Sequence, residues 1–259
     1  MKSPASILIS GASNGIGAAL AETYAAPGKQ LALGGRDVAR LSGVAERCRQ
    51  RGAVVVETIV DVTDAAAVAD WVEGADRTAP LDLVIANAGI QGGSFRGGAG
   101  ETLDEAERVM RVNFDGACNT VYPALGAMRP RRRGQIALVA SLAGLRGFPY
   151  SPGYCASKAA LKAYGEALRS WLGPEGIEIA VVLPGFVDTR MAKAVIGPKP
   201  LMMSADRAAR IIQRGLARGR RQIAFPFPLY VGMQLLRALP AALADRLLRV
   251  VEVDISPYE

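Results

Sequence analysis

Tyr154 and Lys158 stand four residues apart in Tyr154-Cys155-Ala156-Ser157-Lys158, at the start of a segment whose pattern predicts a helix. At that spacing both side chains share one helical face, about 5–6 Å apart at Cβ. A phenol holds its proton until about pH 10 and is a poor acid or base at neutrality unless its surroundings intervene. A neighbouring ammonium stabilises the phenolate and draws the pKa towards neutrality, which is what a proton-transfer group requires. The same spacing also arises by chance on helix surfaces, so the pair acquires meaning only from its company. The chain has no histidine, which removes imidazole acid–base catalysis and argues against a zinc or iron centre, and no metal site is expected.

The company begins upstream. The run Ser6 to Ser10, with Ile7-Leu8-Ile9 inside it, breaks into Gly11-Ala12-Ser13-Asn14-Gly15-Ile16-Gly17 and then a helical stretch from Ala18 to Ala26. In that strand, glycine turn and helix, Gly11 permits a tight turn, Gly15 lets the backbone approach a phosphate and Gly17 allows close helix–strand packing. Free N–H groups and the positive end of the helix dipole would face a pyrophosphate.

The alternation continues with strands at Gln30–Leu33, Val54–Ile59, Leu83–Ala86, Ile136–Ala140, Ile177–Leu183 and Gln222–Phe225. Helices are predicted at Val38–Arg51, Ala65–Arg77, Leu103–Met128, Tyr154–Leu172 and Ala205–Ala217. Strands written as unbroken apolar runs are buried on both faces, so the chain reads as α/β: a Rossmann-like, doubly wound parallel sheet of about seven strands with helices on both faces. No linker or composition shift divides it, and residues 1–259 read as one domain with 226–259 as a helical extension. Ligands of such sheets bind beyond the carboxyl ends of the strands. Ser10, Arg36, Asp61, Asn87, Ser141 and Pro184-Gly185 all fall there.

These residues resemble the short-chain dehydrogenase/reductase family over roughly residues 5 to 190. The turn Ser10-Gly11-Ala12-Ser13-Asn14-Gly15-Ile16-Gly17 matches its TGxxxGxG with serine for the usual threonine. Asp61-Val62 matches the acidic position beside the adenine ring, and Asn87-Ala88-Gly89 the NAG motif, with Ala86 where a second asparagine often stands. Asn113, Ser141, Tyr154 and Lys158 match the catalytic tetrad, and Pro184-Gly185 with Val187 and Thr189 the PG motif whose threonine approaches the nicotinamide carboxamide. The resemblance implies that Tyr154 exchanges the proton at the carbonyl oxygen while Lys158 lowers its pKa and bonds the nicotinamide ribose. Ser141 would polarise the carbonyl, and Asn113 would hold a water linking Lys158 to solvent. It also implies a homodimer or homotetramer built on the two long helices, with Leu125, Met128, Leu161 and Leu168 expected on their outward faces.

At the second strand end, Leu33-Gly34-Gly35-Arg36-Asp37 offers small residues where an NAD-selecting acid would stand, followed by an arginine. That favours the 2′-phosphate of NADP, with Asp37 expected to cap the next helix. The expected activity is an NADP(H)-dependent carbonyl reductase or alcohol dehydrogenase acting on a hydrophobic small molecule, in a pocket walled by Leu142, Tyr150, Phe186 and an irregular loop from Met191 to Met203. The alternative is a nucleotide-binding regulatory or scaffold protein of the same fold that has lost turnover.

Three widely spaced cysteines, Cys48, Cys118 and Cys155, have no disulfide framework and suit a reducing cytoplasm. The formal charge of +7 comes mainly from arginine, with clusters at Arg129, Arg131, Arg132 and Arg133 and at Arg218, Arg220 and Arg221. These read as solvated loop ends rather than a nucleic-acid site, since no recognition motif accompanies them. Past Phe225 the chain is apolar and helix-like to Val251, with Leu229, Met233, Leu236, Leu243 and Leu247 as one stripe and Pro240 in the first turn of a second helix. A lid over the substrate site, a docking pair in a dimer and a membrane-surface anchor edged by Arg237, Arg246 and Arg249 all fit that pattern. Protein cover is favoured over membrane contact, because Phe227, Leu229, Tyr230, Met233 and Leu236 are too apolar to leave in water.

Overall fold

Unbroken apolar runs are best buried on both faces, and in this chain the inner ones become strands held between layers of helix, whereas the edge run leaves Val54, Val56 and Ile59 exposed. The computed structural model describes residues 3–93, 100–149, 151–250 and 254–255, of which 249, 250, 254 and 255 are described by backbone alone. Tyr150 lies outside the described residues, as does the Arg249 side chain. The first half runs β1 (Ser6–Ser10), α1 (Gly15–Tyr24), β2 (Gln30–Gly35), α2 (Val38–Gln50), β3 (Val54–Ile59), α3 (Ala65–Thr78) and β4 (Leu83–Ala86). Then come α4 (Leu103–Met110), α5 (Gly116–Met128), β5 (Gly134–Val139), α6 (Pro152–Leu172) and β6 (Ile177–Pro184). The last third holds β7 (Val187–Asp188), α7 (Arg190–Lys193), β8 (Val195–Ile196), β9 (Met203–Ser204), α8 (Ala205–Ala217), β10 (Gln222–Phe225), α9 (Phe227–Ala238), α10 (Ala241–Val250) and β11 (Asp254–Ile255).

Seven of these strands form one parallel sheet in the order β10-β6-β5-β4-β1-β2-β3. Alternate residues serve opposite layers, as strand periodicity demands. Ile7 and Ile9 of β1 pack with Leu20, Leu41 and Ile212 of α1, α2 and α8. Leu8 packs instead with Trp71, Val121, Leu161 and Met233 of α3, α5, α6 and α9. Several helix starts are set by side chains that accept the first free N–H groups: Asp37 from Arg40 N at 2.9 Å, Asp64 from Ala67 N at 3.0 Å, and Thr102 with Glu105 in a capping box.

The expected helix from Leu103 to Met128 is interrupted by a π-helical turn at Arg111–Asp115. Such turns insert a residue into the ladder and commonly sit at functional sites; here the turn holds Asn113, fully buried. The expected outward residues Leu125, Met128, Leu161 and Leu168 are all buried in the layer beneath. They form the inward stripe of their helices, and the sheet claims them. The outer face of α6 is instead Ala156, Ala159, Ala163, Ala167 and Trp171, with Tyr122 and Gly126 exposed on α5.

The segment from Met191 to Met203, expected as an irregular loop, contains α7 and β8, and β8 pairs antiparallel with β11 while β7 pairs with β9. In the tail, Met233 is buried, and Leu229, Tyr230 and Leu236 pack against the core. The Tyr230 hydroxyl accepts from Gln222 at 2.9 Å and Gln234 at 3.0 Å. Pro240 precedes the second helix rather than opening it, its carbonyl accepting from Leu243 and Ala244. That break resets the helical phase, so Leu243 and Leu247 do not continue the inner stripe: Ala244 and Leu248 are buried and the two leucines exposed. Phe227 is also exposed, so protein covers the tail on one face only. The arginines after α5 are paired, Arg129 with Glu175, Arg131 with Asp76 and Arg133 with Asp82.

Candidate active site

The sheet order reverses at β1 and β4, and the two chains leaving these neighbours open a crevice. Ser10 closes its floor. Its hydroxyl accepts from the N–H groups of Asn87 at 3.1 Å and Ala88 at 3.2 Å, while Asn87 Nδ2 donates to the carbonyls of Ser10 and Gly11 at 3.1 and 3.2 Å. A threonine would do the same work, so serine here leaves the tie intact. Gly11 and Gly15 have φ of +66° and +56°, where a side chain would be strained. A Cβ on Gly17 would run into Gly11 O and Asn87 Nδ2, so that glycine is a packing requirement. The resulting cradle at the start of α1 fits a dinucleotide: it is concave, lined by backbone, and part of a cavity of about 1390 Å³.

The expected residues converge on that cavity. Gly11, Ser13, Asn14, Gly15, Ile16, Arg36, Asp61, Val62, Asn87, Ala88, Gly89, Ser141, Tyr154, Lys158, Pro184, Gly185, Val187 and Thr189 line it, whereas Gly17 and Asn113 stand behind its wall. Gly185 N donates to Phe225 O at 2.7 Å, and Thr189 caps α7 by accepting from Ala192 N at 3.2 Å.

The Ser141 hydroxyl, which accepts from Ala143 N at 3.1 Å and donates to Pro184 O at 3.4 Å, lies beside the Tyr154 phenol. Burial pushes the phenol up to about 12, with the Ser141 hydroxyl pulling the other way. Desolvation is the larger of these causes, and it favours the protonated phenol. Lys158 Nζ lies 5.8 Å from the Tyr154 ring centroid and donates to Val139 O at 3.0 Å. Burial pulls Lys158 down from 10.5 to about 8. Asn113 is committed to protein: Nδ2 donates to Ile90 O at 3.0 Å and Ser157 Oγ at 2.9 Å, and Oδ1 accepts from Ile90 N at 2.7 Å. Only one lone pair of Oδ1 remains for a water.

At the far end of the cavity Arg36 pairs with Asp61 at 3.3 Å. Burial would raise the Asp61 carboxyl, but hydrogen bonds from Thr63 and the Arg36 guanidinium hold it below the usual range. Asp37 caps α2 and pairs with Arg40, which also lines the cavity and was not anticipated; its signal is a position three residues after a helix cap. Gly34 carries no cofactor information, since a Cβ there would strike Trp71; Gly35 is the position facing Ser13. The opposite end is apolar. Leu142, Phe186, Met191, Val195 and Pro198 line it as expected, and the tail adds Leu229, Met233, Leu236 and Leu248.

A family model for short chain dehydrogenase matches residues 5–198. A protein of Myxococcus xanthus named an uncharacterized oxidoreductase is 32% identical over 239 residues, covering 92% of this chain and 94% of its own. A short-chain dehydrogenase from Sphingobium yanoikuyae in complex with NADPH has a TM-score of 0.76 at 27% identity, covering 92% of this chain and 97% of that one. A short-chain dehydrogenase/reductase from Burkholderia phymatum in complex with NAD covers 100% of this chain and 99% of its own with a TM-score of 0.82. At 22% identity the latter is a likeness of fold.

The buried ammonium makes a stability prediction. Between about pH 8 and 10.5 the unfolded chain binds more protons at Lys158 than the folded one, so this residue's cost is full below pH 8 and fades as pH rises through that window. Lys158→Met should therefore stabilise the fold by about 2 kcal/mol at pH 7, after allowing for the lost bond to Val139 O. Urea unfolding at neutral and alkaline pH checks this; a gap that does not shrink with rising pH would refute it.

Proposed function

The chain belongs to the short-chain dehydrogenase family, and from that premise we propose that it transfers a hydride between NADP(H) and the carbonyl or secondary alcohol of an apolar small molecule. The observation that carries the reading is the meeting of the Tyr154 and Ser141 hydroxyls and the Lys158 ammonium on one cavity that also contains the glycine cradle. When bound, the nicotinamide supplies the hydride. Gly11, Ser13, Asn14, Gly15 and Ile16 would hold the pyrophosphate, with Gly17 packing behind them, and Asp61 and Val62 would flank the adenine. Asn87, Ala88, Gly89 and Lys158 would hold the nicotinamide ribose, and Pro184, Gly185, Val187 and Thr189 the nicotinamide.

With its pKa raised, the Tyr154 phenol carries its proton at neutral pH and is ready to give it to a carbonyl oxygen as negative charge develops there. Ser141 adds a second hydroxyl to polarise the same oxygen. Lys158, shifted close to the physiological range, can return a proton to the phenolate. Asn113 acts as a positioning residue, tying the loop after β4 to Ser157 beside Lys158. The apolar end of the cavity supports an apolar substrate, since charged groups there would have to be desolvated.

NADP rather than NAD rests on Arg36 and Arg40. Their carboxylate partners are exposed or half-exposed, and such pairs are worth little, so a phosphate can take either guanidinium. The NADPH held by the Sphingobium relative supports this choice. Residues 1–259 would act as one catalytic unit with 226–259 as its extension. Three free cysteines suit a reducing cytoplasm. Assembly as a homodimer or homotetramer would use the alanine-lined outer face of α6 with Tyr122 and Trp171, where small residues let helices approach closely.

Tyr154→Phe should cut turnover of a panel of apolar ketones below a tenth while leaving NADPH affinity within about a few-fold, because the phenol moves a proton and contributes little to holding the dinucleotide. Retention of higher activity removes the assignment. Fluorescence titration should show NADPH bound about ten- to a hundredfold more tightly than NADH, a gap that Arg36→Leu mostly erases; equal affinities in the unaltered protein refute the cofactor choice. A monomeric mass by light scattering at micromolar concentration would rule out the assembly.

A further inference from the structure

Helix α9 faces two apolar environments. Its inner side supplies Leu229, Gly232, Met233 and Leu236 to the cavity wall. Its outer side presents Phe227, Val231 and Leu235, four residues apart on one face, with Phe227 69% and Leu235 65% exposed. On α10, Leu243 and Leu247 are exposed as well. Gly232 is both exposed and cavity-lining, and a Cβ there would meet nothing within 4 Å.

Charge distinguishes the occupants. Arg237 and Arg246 are exposed and make no ion pair among the described residues. Between 226 and 248 the sole acid is Asp245, and it is taken by Arg146 at 2.5 Å. A second copy docking through the same patch would set one surface bearing Arg237 and Arg246 against another bearing the same charges, with no free acid between 226 and 248 to meet them. A surface that is apolar below and anionic at its rim would satisfy both the leucines and the guanidinium groups. We propose that the outer face of α9 and α10 docks on an anionic lipid surface. The helices would lie in the headgroup plane, since none in the described residues is long and apolar enough to cross a membrane. Docked so, the exposed and cavity-lining Gly232 would give the apolar end of the cavity its route to lipid.

The test uses the full chain with vesicles of phosphatidylcholine containing about a third phosphatidylglycerol at about 0.1 M salt. The protein should float with these vesicles, bind pure phosphatidylcholine more weakly, and detach as salt is raised towards about 1 M. Phe227→Ser with Leu235→Ser, and separately Arg237→Glu with Arg246→Glu, should each weaken vesicle binding about tenfold or more without changing thermal stability. Failure of the unaltered protein to float, or binding by both double variants equal to that of the unaltered protein, overturns the proposal. A light-scattering mass that drops in the Phe227, Leu235 double variant would assign the face to self-association and also overturn it, whereas an unchanged mass supports it. Vesicle binding is read without cofactor or substrate, so its outcome is independent of the reductase reading.

Discussion

At the switch point of the sheet, the chain leaves β1 and β4 in different directions, and a handful of hydrogen bonds centred on Ser10 and Asn87 keeps those strand ends together. Two of the donors are backbone N–H groups and the other two bonds come from the Asn87 amide, all at partly buried positions, where an unmade bond is expensive. That tie sets the spacing between the glycine turn and the loop Asn87 to Gly89, the two walls of the dinucleotide cleft. Gly17 is part of the same arrangement, because any side chain there would push the turn away from Asn87. The cleft is therefore made by packing before any ligand contributes.

The second constraint is the burial of Lys158. An ammonium held away from water is unfavourable, and its pKa falls to about 8 in consequence. It is held by Val139 O and enclosed by Gly89 and the helix that carries it; a Cβ on Gly89 would sit 3.2 Å from Nζ and 3.1 Å from Asn113 Oδ1. The π-helical turn at Arg111–Asp115 puts Asn113 against this group, and Asn113 then spends its amide on Ile90 and Ser157. Loop, π-turn and α6 are thereby locked around one charge. Desolvation of the phenol beside it favours the protonated form of Tyr154.

The tail shows how the same residue types can be used twice. Leucine and methionine on the inner side of α9 complete the cavity, and phenylalanine, valine and leucine on its outer side are left bare. The ion pair from Arg146 to Asp245 and the bond from Gln222 to the Tyr230 hydroxyl anchor the helices to the body of the protein, while Gln234 donates to the same hydroxyl from within α9. The inner side of α9 is held by these polar fastenings together with its apolar contacts.

Much of this was legible from the amino-acid order. Unbroken apolar runs such as Ile7-Leu8-Ile9 and Leu83-Val84-Ile85 dictate doubly covered parallel strands, and Val54–Ile59, Ala205–Ala217 and Gln222–Phe225 form at the predicted bounds. The glycine turn, the cap at Asp37, the placing of Ser10, Asn87 and Ser141 at strand ends and the pairing of Tyr154 with Lys158 on one helix also follow from local chemistry, because a strand end, a cap and a helical spacing depend on near neighbours. Tertiary structure decided the rest. Leu125, Met128, Leu161 and Leu168 fit either face of a helix by periodicity alone, and only the sheet beneath them determines that they point inward. The choice of Arg36 between Asp37 and Asp61 depends on strands apart in sequence, as does the clash of Gly34 with Trp71. The pKa of Tyr154 and the two-sided use of α9 likewise depend on how much water distant segments remove, a quantity that no local pattern encodes.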